Sequence, residues 1–319
     1  RKDTLNTSTL QQIRNIIKNH SIRNVNELKV LLSISLREIK INESSSEKSE
    51  EHIEAGIDII FNSLNNSYSD VIEEFYKEES IPILSNICLE FVKIIENHKK
   101  KKLKEKTVQC LMLLYFVDSS CDFDDKLIRN QAANCLYLFI PKIIKILVQI
   151  ATGDAVLGDQ LKTVSLEAFS KIICLVFEDY NITSTESYPT FEDFLKIIGP
   201  KKQNDVTIND EVLNIKKNMK TIRNRSKEWL EAASTKLTPL FKKLIPLSVS
   251  SVTTIRKEMC NMCQQLLLNC FENLNINTPY LLESLIVLSE DEDNDIKLRV
   301  LEICRKLSFV SRLIIMKCY

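Results

Sequence analysis

Glycine and proline are scarce in this sequence of 319 residues. It contains 4 Gly and 7 Pro, whereas average usage is about 7% Gly and about 5% Pro. All-β folds, dinucleotide-binding sheets and phosphate-cradling loops depend on turns that contain Gly. The scarcity therefore argues against sandwiches, barrels, Rossmann sheets and P-loop enzymes.

The chain also lacks a net charge and a long uncharged apolar run. Its 43 Lys and Arg balance its 43 Asp and Glu, so no global field attracts nucleic acid or an anionic membrane. The longest apolar stretch, residues 136–151, contains Pro141, Lys142 and Lys145, unlike the roughly 20 uncharged residues that span a bilayer. We expect no nucleic-acid partner and no membrane span.

Histidine is rare, whereas cysteine is frequent. His20, His52 and His98 have no carboxylate or Cys at the spacing of a zinc site or a catalytic triad, so we expect surface positions, no cofactor and no small-molecule substrate.

Most of the 10 Cys lie within apolar helical patterns, which is typical of free thiols in a reducing compartment. This predicts a cytoplasmic protein, with the nucleus as the open alternative. The chain opens at Arg1 rather than Met, so a targeting segment upstream stays open as well.

Apolar residues recur at helical spacing along almost the whole chain, and no segment alternates as a strand does. Polar breaks interrupt the pattern at residues 42–50, 118–125 and 181–224, where we predict mobile loops. The expected organisation is one all-α domain over residues 1–319.

An internal repeat is the most informative feature of the sequence. Pro239 and Pro279 each lie at the start of an apolar helical pattern and are 40 residues apart. Ile255-Arg256 and Ile296-Lys297 each open a second pattern and are 41 residues apart. Weaker copies begin at Pro141 and at Pro82.

A proline-bearing helix, a polar turn and a second helix that opens with an aliphatic-basic pair form the HEAT pattern. Neither helix of such a hairpin buries its apolar stripe alone, so hairpins stack into a continuous core. The sequence thus predicts an α-solenoid of HEAT-like hairpins, expected to form a right-handed superhelix. The basic residue of each second helix is within reach of the acidic turn of the next repeat, which predicts a ladder of ion pairs.

Two motifs resemble metal sites. Cys260 and Cys263 form a CxxC, but it falls inside a predicted helix without a second pair, so we interpret it as core packing. Asp291, Asp293 and Asp295, with Glu302, follow EF-hand spacing, but Ile296 replaces the Gly that the calcium loop requires. We expect neither motif to bind a metal.

Two features are candidates for partner contact. Lys99, Lys100, Lys101 and Lys102 form a basic run between two predicted helices, which is typical of a solvated turn and also suits nuclear import or an anionic partner. Trp229, the only Trp, follows the longest loop. It either restarts the core or forms a binding hot spot.

Several segments, taken in order, resemble the TELO-two-interacting protein one family. They lie at residues 68–84, 139–154, 228–245 and 281–292. The residues that carry the match are packing positions, among them Trp229, so the specificity of the match comes from order and spacing. The match extends over most of residues 50–180 and 225–307, and the last residues, 309–319, do not look family-like.

The resemblance implies a scaffold rather than an enzyme. Members of the family are the large HEAT-repeat subunit of the TTT co-chaperone complex. They join two other helical-repeat subunits, cooperate with adaptors of the Hsp90 system and support maturation of phosphatidylinositol-3-kinase-related kinases. This chain would correspond to a part of their N-terminal region, and the family offers no catalytic or metal site to carry over.

Two other classes remain open from the sequence. One is a different HEAT adaptor, a nuclear-transport receptor or a phosphatase scaffold, although a transport receptor would show an acidic inner surface. The other is an enzyme, which would require a His and two carboxylates to converge in a cleft.

Overall fold

A computed structural model describes residues 5–40, 48–121, 125–179 and 225–317, with side chains as far as Ser308. The predicted loop at 181–224 lies outside the described residues, as do 42–47 of the first loop and 122–124 of the second. The regular structure of the described ranges consists of α-helices and short 3-10 helices, with one isolated β-bridge between Ile22 and Ser67. The all-α prediction is confirmed for these ranges.

The described residues divide into two compact units, with the boundary between Ile146 and Leu147. Continuity of one solenoid over residues 1–319 stays a prediction. The first unit contains α1 (Thr7–Ile17), α2 (Val25–Ile39), α3 (Glu50–Asn65), α4 (Ser69–Phe75), α5 (Ile81–Asn97), α6 (Lys101–Leu114), α7 (Lys126–Leu136) and the first part of α8 (Ile140–Ala151).

Helix α3 is central to the packing of the first unit, where it contacts α1, α2 and α6. Its buried stripe includes Ile53, Ile57 and Ile60, which recur at helical spacing. Gly56 permits a close approach to α2, because a Cβ atom at this position would lie 2.5 Å from Ile39 Cγ2.

A buried polar joint connects α1, α2 and α3. The Glu38 carboxylate is fully buried, and its Oε2 lies 3.2 Å from His52 Nε2. Its Oε1 accepts from Arg37 Nε at 2.9 Å, and His52 Nδ1 lies 3.2 Å from Thr7 Oγ1. The expectation of a surface position is therefore wrong for His52, because a buried carboxylate on α2 requires polar partners. His20 is exposed and pairs with Glu27.

The second unit contains the rest of α8, followed by α9 (Asp159–Phe177), α10 (Lys227–Leu244), α11 (Thr253–Asn269), α12 (Thr278–Leu288) and α13 (Asn294–Lys317). The two clear sequence repeats are the hairpins α10–α11 and α12–α13. Pro279 lies in the first turn of α12, as the pattern predicts.

Helix α10 starts earlier than the repeat pattern predicts, so Pro239 lies inside it rather than in its first turn. Ser226 caps the helix, since its side chain accepts from the Trp229 backbone N–H at 3.2 Å. The buried residues Trp229, Leu230 and Ala233 then form an apolar stripe ahead of the proline. This stripe extends the helix toward its N-terminus.

One described stretch, Lys126–Ala151, has the length and mean hydropathy of a membrane span. It is interrupted at Tyr137–Phe139 by a 3-10 helix, and 72% of its most apolar window is buried. Such burial is what a core helix shows, so the stretch is weak evidence for a membrane span.

Candidate functional surface

The second helices of the repeats in the second unit lie next to one another, with α11 in contact with both α9 and α13. Two hydrogen bonds join them through amide side chains of α11. Ser170 Oγ on α9 donates to Gln265 Oε1 at 2.9 Å, and Arg299 Nε on α13 donates to Gln264 Oε1 at 3.3 Å.

Helix α11 separates apolar and amide side chains on different faces. Met259, Met262 and Leu266 are buried, whereas Asn261, Gln265 and Asn269 follow one another at intervals of four residues. Side chains four residues apart share a helix face. The sequence of α11 therefore builds a row of amides along its more accessible side.

We call the resulting depression the amide groove. Its volume is about 240 Å³. Asn261 Nδ2 donates to Glu258 Oε2 at 2.8 Å, while Asn261 Oδ1 is buried and has no partner among the described residues. The groove is lined by Asn261, Gln264, Gln265, Leu268, Asn269 and Arg299.

Glu258 lies beside the amide groove and is partly buried. Burial raises the pKa of its carboxyl group to about 7, and the hydrogen bond from Asn261 opposes this shift. Glu167 raises the same pKa, whereas Lys171 and Arg299 lower it. Glu258 therefore changes charge near neutral pH.

A ladder of ion pairs connects the hairpin α10–α11 to the next one. Arg256 binds Asp291 through two hydrogen bonds, Nε to Oδ2 at 2.7 Å and Nη2 to Oδ1 at 3.0 Å. Lys257 Nζ lies 2.9 Å from Asp293 Oδ2. The hydrogen bond from Arg256 holds the pKa of the Asp291 carboxyl below its usual value. The ladder predicted from the repeat is confirmed at this step.

The basic run lies at the N-terminal end of α6 in the first unit. Helix α5 ends at Asn97 and α6 begins at Lys101, so Lys101 and Lys102 belong to the helix and not to the turn. Lys99, Lys101 and Lys102 are exposed, and Lys100 pairs with Glu50 of α3.

Cations are unfavourable at a helix N-terminus because the helix dipole is positive there. Acidic residues of α3 offset part of this unfavourable interaction between the lysines and the dipole of α6. Lys106 Nζ lies 2.9 Å from Glu54 Oε1 and 2.6 Å from Asp58 Oδ1. Within the basic run, Lys100 pairs with Glu50 of α3, whereas Lys99, Lys101 and Lys102 are exposed to solvent.

Trp229 lies in the core of the second unit. Its side chain is 5% exposed, and its ring centroid lies 6.0 Å from that of Phe177. This position favours the interpretation of Trp229 as a residue that restarts the core after the long polar stretch of the sequence. Its ring offers little surface to a partner.

Residues 1–292 match the family model described as the TTI1 N-terminal TPR domain. The chain belongs to the TTI1 family. A domain of this kind is scaffold-type, and its TPR-like description fits the all-α solenoid class predicted from the repeat.

Two curated relatives are the TELO2-interacting protein 1 homologs of Mus musculus and Homo sapiens. The mouse protein is 26% identical over 252 residues, which cover 77% of this chain. The human protein is 26% identical over 249 residues, or 76% of this chain. The matched region spans 21% of the length of each relative.

The two metal-like motifs have packing and ion-pairing roles in this TTI1-family chain. Cys260 and Cys263 are both fully buried, which confirms their interpretation as core residues. The carboxylates with EF-hand spacing pair with cations, Asp291 with Arg256 and Asp293 with Lys257. Glu302 pairs with Lys306 on α13.

The amide groove was not predicted from the sequence. Its signal is the run Asn261-Met262-Cys263-Gln264-Gln265, followed by Asn269. In this run, the amide residues recur every three or four positions, and buried residues lie between them. That signal is weak because Asn and Gln are common on solvated helix faces. The depression forms only because Arg299 of the neighbouring helix α13 lies beside this face.

Proposed function

We propose that this chain is part of a non-enzymatic scaffold subunit of the TTT co-chaperone complex. The match of residues 1–292 to the TTI1 N-terminal family supports this proposal most strongly. The two relatives are named for interaction with TELO2, so a TELO2-like helical-repeat protein is the first partner that we propose.

The finer parts of the proposal follow from the family resemblance. The scaffold would join the other TTT subunits, contact adaptors of the Hsp90 system and support the maturation and stability of phosphatidylinositol-3-kinase-related kinases. We also propose a cytoplasmic location, with a nuclear pool as the alternative. Both compartments are reducing, which suits the buried free thiols Cys88, Cys110 and Cys263.

The structure offers a physical reason for a scaffold role. The buried pair Arg256–Asp291 fixes one hairpin on the next, and α9, α11 and α13 present a row of polar side chains. Two chemistry-bearing side chains, those of His52 and Cys263, are buried in the packing. Such a surface binds partners through many side chains and not through a deep pocket.

Acute depletion of the parent protein tests the finer proposal. We expect steady-state levels of the phosphatidylinositol-3-kinase-related kinases to fall together, while an unrelated protein kinase of similar size stays constant. Re-expression of the parent protein should restore them. Unchanged kinase levels after complete depletion would contradict the maturation role.

A further inference from the structure

The second repeat hairpin, α12–α13, is uncovered on the side where the first hairpin, α10–α11, has a neighbour. Cys260 and Cys263 of α11 are fully buried, and α11 contacts α13. The residues 41 positions later on α13 differ in exposure, because Leu301 is 52% exposed and Cys304 is exposed as well. This side of α13 therefore has the pattern of a repeat interface without its neighbour among the described residues.

A hydrogen bond that joins the first hairpin to the second has no counterpart on the second. Thr238 Oγ1 of α10 donates to Asn277 Oδ1 at 2.9 Å, and Asn277 lies directly before α12. Thr278 is the residue equivalent to Thr238, one repeat of 40 residues later. Its Oγ1 is buried and has no hydrogen-bond partner within the described ranges. Because a buried hydroxyl without a partner is unfavourable, this position suits an acceptor from a covering element.

The ladder of ion pairs is open on the same hairpin. Arg256 of the first hairpin binds both carboxylate oxygens of Asp291, which lies in the inter-helix turn of the second. Lys297 is the residue equivalent to Arg256, 41 positions later, and it forms no ion pair with a described residue. Arg256, and to a smaller degree Lys297, lower the pKa of Asp291, but Arg256 already occupies that carboxylate. The charge that complements Lys297 is an acidic residue in the turn of a further hairpin.

We call this surface of the second hairpin the end face. It combines the unpaired hydroxyl and the unpaired cation with exposed apolar side chains, and it consists of Thr278, Ile286, Lys297, Leu298, Leu301 and Cys304. Apolar side chains at a repeat interface are normally covered by the next repeat. The end face thus has the polar and the apolar parts of the interface that α12–α13 itself forms with α10–α11.

We propose that the end face binds a further helical hairpin of the same repeat class. That hairpin presents an acidic residue of its inter-helix turn to Lys297 and a side-chain acceptor, placed directly before its first helix, to Thr278 Oγ1. The matched region spans 21% of the length of each relative, so in such longer proteins the same polypeptide has the length to supply the hairpin. The assignment is independent of the TTT proposal, because it rests on the contacts of the two hairpins alone.

A tandem chain tests this assignment. A second copy of residues 270–310 is inserted after residue 310 of the full chain, which places another Asn277 and another Asp291 one repeat beyond the first. Cys304 of the second copy is replaced by Ser, and alkylation of the remaining Cys304 by N-ethylmaleimide is measured by mass spectrometry, at concentrations well below those expected for self-association. We expect alkylation to be at least about tenfold slower than in the 319-residue chain, with helical content per residue maintained in circular dichroism. Unchanged alkylation or a loss of helical content would overturn the proposal.

Three variants of the tandem chain separate the two polar contacts from apolar burial. Lys297→Glu in the first copy and Asn277→Leu in the second should each make alkylation of Cys304 at least about fivefold faster than in the tandem chain. Lys236→Glu makes the same change in net charge as Lys297→Glu at an exposed position of α10, and it should leave the rate nearly unchanged. Equal rates in the two charge-reversal variants would contradict the acidic turn, and an unchanged rate in Asn277→Leu would contradict the acceptor for Thr278.

Discussion

At the scale of single residues, the carboxyl group of Glu258 links stability to pH. Its pKa is raised from the usual 4.5 to about 7 in the folded chain. Between these values the folded chain holds a proton that the unfolded chain has lost. The free energy of unfolding therefore decreases as the pH rises from 4.5 to about 7.

Glu258→Gln removes this dependence. We expect the variant to be more stable than the unsubstituted chain at pH 8, by roughly 2 kcal/mol, and only slightly different at pH 5. Urea unfolding at the two pH values measures the difference. Glu231→Gln, at an exposed position of α10, is the matched control, and an equal gain in both variants would rule out this explanation.

The contribution of the Arg256–Asp291 ion pair to stability is also testable. Asp291 keeps 3% of its side-chain surface exposed, so Arg256→Ala leaves a buried carboxylate without its partner. We expect a loss of about 3 kcal/mol in the free energy of unfolding. Lys257→Ala removes the neighbouring exposed cation and should barely change the urea midpoint, because exposed ion pairs contribute little. Similar losses of unfolding free energy in the two variants would contradict the claim that the buried ion pair contributes more to stability than the exposed one.

At the scale of elements, the close contact between α2 and α3 depends on Gly56. Replacement of a helical Gly by Ala normally stabilises a helix by about 1 kcal/mol. Here the new Cβ would lie 2.5 Å from Ile39 Cγ2, so we expect Gly56→Ala to destabilise the chain by about 1–3 kcal/mol.

Ile39→Leu supplies the control for this prediction, because Leu has no methyl group at the Cγ2 position. The double variant should recover part of the loss in a thermal or urea melt. If Gly56→Ala alone is as stable as the unsubstituted chain, the contact between α2 and α3 is looser than described.

The sequence predicts the features that depend on local patterns and misses those that depend on contacts between residues far apart in the chain. Helix α12 and the ladder of Arg256 follow from local patterns, the proline at a first turn and the aliphatic-basic pair of a repeat. The early start of α10 was missed because Ser226 follows a long polar stretch with no repeat signal. His52 was misplaced because its partner Glu38 lies on another helix, and a spacing of 14 residues matches no local motif.

The amide groove shows the same limit at a surface. The sequence alone predicts that Asn261 and Gln265 lie on one face of α11, because they are four residues apart. That this face is a groove, with Arg299 at its edge, depends on the packing of α13. Interhelical packing of this kind is not encoded in the periodicity of one segment.

At the scale of the whole molecule, the last described hairpin exposes apolar side chains. Inside a helical stack such side chains are covered by a neighbouring hairpin. They lie on α12 and α13 and include Leu282 at 40%, Ile286 at 71%, Leu298 at 65% and Leu301 at 52% exposure.

We expect the isolated 319-residue chain to self-associate through this surface at concentrations on the order of tens of micromolar. Sedimentation velocity should show a concentration-dependent increase in mass, which Leu298→Asp combined with Ile286→Asp reduces. Leu127→Asp, at a residue of α7 that is 56% exposed, should not reduce it. A monodisperse monomer over this range would contradict the expectation.

The scaffold role within the TTT complex is the central claim for the whole protein. Affinity purification of the full-length parent protein from its own cells, followed by mass spectrometry, tests it most directly. We predict recovery of a TELO2-like subunit and a second helical-repeat subunit, together with phosphatidylinositol-3-kinase-related kinases. Recovery of nuclear-transport cargo or a phosphatase core in their place would leave the helical fold intact and contradict the proposed function.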